Sequence, residues 1–172
     1  YLAEVDAQGA YRVGYVAHNH HFLWAAASMA GNKALALRAA QAAWPAACGP
    51  SGRDPGAAIV QQYAALPYFT LVRFGAWTML LGDTRPPDAP GPYPLAMWHY
   101  ARGVASARLG RGVEARAALD TVRAIEVAVP ADDFRKALTL AGLALEGEIA
   151  LSARRPAEAV AMFRRAAAIE DG

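Results

Sequence analysis

At 172 residues and 55% hydrophobic content the chain is long enough for one domain with a sizeable core, but much of that content is alanine, which brings helices close instead of filling a thick interior. Charged residues make up 19% and the net charge is +2, so no strong field steers the chain to nucleic acid or to a membrane surface. A single cysteine, Cys48, excludes an intramolecular disulfide and a cysteine-rich zinc site, and no run of about eighteen apolar residues offers a membrane span.

The chain opens at Tyr1 without a basic, apolar, cleavable leader, as expected of a mature form or of a segment of something longer; the compartment stays open, with the cytoplasm as default. Residues 1–8 read as the tail of a helix that stops at Gly9. Gly9, Tyr11, Gly14 and Tyr15 read as a connector. A helix is expected from Ala17 to Ala30, stopped by Gly31-Asn32, and a returning helix from Lys33 to Trp44, ended by Pro45. Residues 45–56 are rich in Pro, Gly and Ser and read as a loop that holds Cys48. Asp54-Pro55 then caps a helix that starts at Ala57 and passes Pro67 with a kink or a break. Tyr68 to Phe74 has the propensity of a strand. A lone strand would have no partner, however, and Gly75 falls where a helix turn is wanted, so the stretch is assigned to helix. Ala76 to Leu81 is a short returning helix, and residues 82–94 are too proline-rich to be helical.

Leu95 to Leu109 and Val113 to Val127 form a hairpin around Gly110-Arg111-Gly112, and Asp132 or Asp133 caps the last hairpin. That last unit carries the clearest pattern. Leu143, Gly147 and Ala150 precede a turn at Arg154-Arg155-Pro156, and Ala159, Phe163 and Ala166 follow it. Each triplet is spaced four then three, which keeps its side chains on one helix face. The small residues Gly147 and Ala159 fall where two backbones must approach closely. The turn positions Gly31, Gly75, Gly110 and Arg154 are 44, 35 and 44 residues apart. In that register the third unit reads His99, Gly103, Ser106, then Ala115, Leu119, Val122, with Trp98, Gly103 and Leu119 expected to be buried between helices. The first unit reads His20, Trp24, Ala27, then Ala36, Ala40, Ala43. The second, Ala64, Tyr68, Leu71, then Leu80, is the most degenerate. The expected architecture is all-α: a single domain, 1–172, forming an α-solenoid of four antiparallel helical hairpins at about 17–44, 57–82, 95–127 and 133–170.

Over roughly residues 17–170 the chain resembles tetratricopeptide repeat proteins. HNHHFLWAAASMAG, YFTLVRFGAW and AMWHYARGVASARLGR also look like a subgroup of longer bacterial repeat proteins of unassigned function, of which this would be an internal segment. The resemblance implies a protein-interaction scaffold. A peptide or partner protein would bind in a concave groove lined by the first helix of each hairpin, with no cofactor, and self-association is possible. Groove positions implied by the register are His18, His21, Phe69, Arg73, Tyr100 and Arg108. Arg73 and Arg108 hold the same repeat position, where they either clamp a carboxylate or bond the last carbonyls of their own helices. The lysine and asparagine lining of the chaperone-tail-binding subgroup is missing, since the lysines, Lys33 and Lys136, fall outside groove positions.

Catalytic chemistry has little to stand on. No Gly-rich phosphate loop, G-x-S-x-G elbow, H-E-x-x-H or Cys pair occurs, and Glu146 and Glu148 point in different directions. The competing reading is a metal-binding protein or metal-dependent enzyme built on His18, His20 and His21. His18 and His21, three apart, share a face as two ligands would, with no Asp, Glu or Cys close in sequence to complete the shell.

Overall fold

A computed structural model describes residues 10–48, 61–82, 91–130 and 133–171. Among these residues all regular structure is helical. The elements are α1 (Ala10–Met29), α2 (Lys33–Cys48), a 3-10 turn (Gln62–Ala65), α3 (Leu66–Arg73), α4 (Trp77–Gly82), α5 (Pro92–Arg108), α6 (Gly112–Ala128), α7 (Asp133–Ser152) and α8 (Pro156–Asp171). The chain divides into two compact units, one formed by Tyr1–Phe74 with Pro87–Pro94 and the other by Gly75–Pro86 with Leu95–Gly172.

The four turn positions share one backbone conformation. Gly31, Gly75, Gly110 and Arg154 have φ of 73°, 64°, 75° and 58°, the left-handed region that lets a helix end and the chain reverse. In three of them the capping bonds are the same: the N–H groups of Asn32, Arg111 and Arg155 donate to the carbonyls of Ala27, Ser106 and Ala150 at 2.8, 2.8 and 2.9 Å. This is the Schellman arrangement, which satisfies orphan carbonyls with main-chain donors. The first turn of the returning helix then closes alike in all four, with Ala36, Leu80, Ala115 and Ala159 donating to Asn32, Ala76, Arg111 and Arg155. Those four donors are buried to 3% exposure or less. Asn32 also accepts from the N–H of Leu35 at 3.0 Å through its side chain, so it caps α2 as well as closing α1.

In the first unit α1 and α2 pair, and the 3-10 turn and α3 pack on α2. The core joins Ala17, Ala40, Ala43, Tyr63, Ala64 and Leu66, with Trp24, Trp44 and Phe69 packed against it. Alanines on α2 let the aromatic side chains close over that helix. The indole N–H of Trp24 donates to Thr70 Oγ1 at 2.8 Å, and Thr70 in turn donates to the carbonyl of Leu66, also at 2.8 Å. A fully buried hydroxyl is thereby satisfied on both sides.

In the second unit α7 packs against both α6 and α8. Trp98, Gly103 and Leu119 are buried as expected. A Cβ on Gly103 would stand 2.6 Å from Leu145 and 3.0 Å from the Cβ of Ala118, so three helices meet at one hydrogen. A Cβ on Gly147 would stand 2.6 Å from the ring of Phe163. The two glycines are the close approaches that the register requires.

Several boundaries differ from the sequence reading. α1 starts at Ala10, so Tyr11, Gly14 and Tyr15 are helical; an interior glycine costs a helix only about 1 kcal/mol. α2 runs through Pro45 to Cys48, which places Cys48 on a helix end and not in a loop. Proline removes one hydrogen bond there, and the alanine face of Ala36, Ala39, Ala40 and Ala43, at most 2% exposed, offsets that loss. At Pro67, where a kink or a break was expected, the structure has the break: a 3-10 turn ends at Ala65, and Pro67 lies in the first turn of α3, where its missing N–H has no partner to lose. α5 starts at Pro92, three residues before the expected Leu95, for the same reason. The stretch from Tyr68 is helical through Arg73. Residues 1–8, the Asp54-Pro55 cap, the helix start at Ala57 and the Asp132 cap lie outside the described residues.

Candidate functional site

The six expected groove residues fall in both units. In the first unit His18 is exposed, with its ring edge-on to Phe22 at 4.6 Å. His21 is half-buried, stacked on Trp24 at 5.5 Å and 5.7 Å from the ring of Tyr63. Burial, and then the neighbouring charge of His18, lower the pKa of His21 below its ordinary 6.5. Phe69 packs against the same cluster from α3. Arg73 stands apart from these three, donating from Nε to the carbonyl of Ser28 in α1 at 2.9 Å. It thus closes the end of a neighbouring helix and not of its own.

In the second unit Tyr100 and Arg108 converge on one carboxylate. Arg108 pairs with Glu148 of α7 at 2.6 Å. Burial, and then the charge of Glu148, hold the Tyr100 phenol above its ordinary pKa of 10.0. Arg108 and Glu148 lie on successive first helices, so the pair ties α5 to α7. Glu146, on another side of α7, pairs with Arg123 of α6 at 2.6 Å. The two glutamates, two residues apart and so on different sides of α7, serve two different joints.

The sequence did not disclose a cavity of about 280 Å³ between α5 and α6. Trp98, His99, Arg102, Ser106, Glu114 and Thr121 line it. The guanidinium of Arg102 lies 4.7 Å over the indole of Trp98. From there its Nη1 donates to the carbonyl of Leu80 at 2.8 Å, at the end of α4. His99 stands edge-on to Trp98 at 4.7 Å, and burial followed by the nearby Arg102 charge lowers its pKa below 6.5. The cavity thus offers an aromatic wall, an imidazole, hydroxyls and one charge of each sign. The readable signals were the four-residue spacing of Trp98 and Arg102 and the shortness of α4; that Arg102 reaches from α5 to the end of α4 was not readable.

Among the described residues no group of three His, Cys, Asp or Glu side chains comes together that could hold a metal ion. His18 and His21 have aromatic neighbours, Phe22, Trp24 and Tyr63. No described helix is long and apolar enough to cross a membrane.

Comparison with family models, with characterised proteins and with solved structures finds no match to this chain.

Proposed function

We propose that the chain is a helical-repeat scaffold of the tetratricopeptide type, without enzymatic activity, that binds a peptide or a partner protein along the first helices of its hairpins. The supporting observation is the recurrence of one turn: four positions spaced 44, 35 and 44 residues apart share a left-handed φ, each followed by a buried residue five positions on. A chain built from one repeated hairpin stacks its hydrophobic faces on its neighbours and leaves its first helices to line a shared surface. On α5 and α7 that surface carries Tyr100 beside the Arg108–Glu148 pair, an aromatic body with an adjacent cation and anion. Such a patch suits the backbone and charged side chains of an extended peptide.

The test begins with peptides selected on the wild-type chain from a displayed library. Tyr100→Ala with Arg108→Ala should weaken their binding by at least about tenfold, the factor equivalent to ~1.4 kcal/mol. Val113→Lys, at a residue 83% exposed on the second helix α6, should leave it unchanged. A folded double variant that bound as tightly as wild type would remove the groove assignment.

A further inference from the structure

The cavity beside Trp98 has a smaller counterpart in the last hairpin. Counted from the turn, Arg102, Ser106, Glu114 and Ala118 hold the places that Glu146, Ala150, Glu158 and Met162 hold 44 residues on. The latter four line a cavity of about 100 Å³, against about 280 Å³ beside Trp98. Two differences go with the size. The smaller cavity has a third wall, supplied by Arg116 of α6, a helix of 17 residues, whereas the helix in that place before α5 is α4, of six. A methionine also lines the smaller cavity where the larger one has only the methyl group of Ala118.

The charges are also arranged differently. In the smaller cavity both carboxylates have partners, Glu146 in Arg123 and Glu158 in Arg155. In the larger one Glu114 has no ion pair among the described residues. It stands on α6, while Arg102 stands on α5, its guanidinium held over Trp98 and bonded to the carbonyl of Leu80. Trp98, Ala117 and Ala118 add an apolar surface. The volume of about 280 Å³ falls just short of the roughly 300–1,000 Å³ of sites for drug-sized ligands, so the cavity suits a small one. A fixed cation, an unpaired carboxylate and an apolar surface in that space match a zwitterion with an apolar side chain.

We propose that the cavity between α5 and α6 binds a free amino acid with an apolar side chain. Its carboxylate lies toward Arg102, its ammonium toward Glu114 and its side chain against Trp98, Ala117 and Ala118. Arg102 acts through its charge and keeps its bond to Leu80. Tyr100 and Arg108 do not line the cavity, so this site goes beyond the peptide-binding reading and does not depend on it.

Isothermal titration calorimetry with L-leucine, L-phenylalanine and 3-phenylpropanoate tests it, with far-UV circular dichroism to show that each variant is folded. Both amino acids should bind the wild-type chain saturably, with a Kd below about 1 mM. 3-Phenylpropanoate, which lacks the ammonium group, should bind at least about tenfold more weakly than L-phenylalanine. Glu114→Gln should erase that preference. Ala118→Met, which places in the cavity the residue found at the same place in the last hairpin, should raise the Kd of both amino acids by at least about tenfold. Glu114 is exposed, so its variant keeps the test standing if Ala118→Met does not fold. No saturable binding of either amino acid, a preference that survives Glu114→Gln, or a folded Ala118→Met chain that binds like wild type would each overturn the proposal. None of those results touches the groove reading.

Discussion

Gly142 and Gly147 lie five residues apart on α7 and have opposite surroundings. A Cβ on Gly142 would meet nothing within 4 Å, whereas one on Gly147 would meet the ring of Phe163 at 2.6 Å. Gly142→Ala should therefore stabilise the chain by about 1 kcal/mol, the helix-propensity gain alone. Gly147→Ala should lose that gain and more, although the ring edge of Phe163, itself half-exposed, can shift. Gly103→Leu leaves no such escape, since its Cβ would press on both Leu145 and Ala118. It should cost at least about 1–3 kcal/mol through overpacking. Thermal melts of the three variants check the order. A Gly103→Leu chain that kept its melting temperature would mean that the close approach of α5, α6 and α7 is wrong. Individual residues were legible where small size served a shared face, as at Gly103 and Ala159. His21 was less so: one side of it was assigned to an open groove, and it stacks on Trp24 and faces Tyr63. Aromatic contacts across 42 residues of sequence leave no local spacing to read.

At the scale of the element, the turns were the most legible part of the chain. A glycine after an apolar triplet marks a helix end because few other residues accept a left-handed φ. Arg154 breaks that rule and still adopts φ of 58°. A side chain held there costs roughly 1 kcal/mol. Arg154→Gly should recover part of that, about 0.5 kcal/mol after the added freedom of the unfolded chain is subtracted, and raise the melting temperature. Gly110→Ala should cost about 1 kcal/mol of stability and lower the melting temperature. If both changes shifted the melt in the same direction, the shared turn geometry would be refuted. Helix ends near proline were read poorly for a different reason. The penalty of Pro45 is local and visible, whereas the burial that overrides it comes from the alanine face as a whole. The cavity beside Trp98 was hidden because it depends on side chains of two helices and on the reach of Arg102 to Leu80, 22 residues away, which no local spacing records.

For the whole molecule, each compact unit holds one histidine below its ordinary pKa of 6.5: His21 in the first and His99 in the second. Their cause is burial first, then a neighbouring positive charge. The folded chain therefore takes up these protons less readily than the unfolded chain. Stability from this source is present above about pH 6.5 and is lost as pH falls below that value toward the lowered pKa. The melting temperature should drop between about pH 7 and about pH 5. His21→Gln combined with His99→Gln should flatten that drop, and an equal slope in the variant would show that other groups carry it.

The capping bonds at Asn32, Arg111 and Arg155 run entirely between main-chain atoms. Such a joint constrains the identity of almost no side chain. Beyond a residue that accepts a left-handed φ and a small or apolar one five places later, a hairpin can change most of its letters and close in the same way. Each hairpin thus carries few fixed letters. Many sequences can therefore close the same main-chain turn.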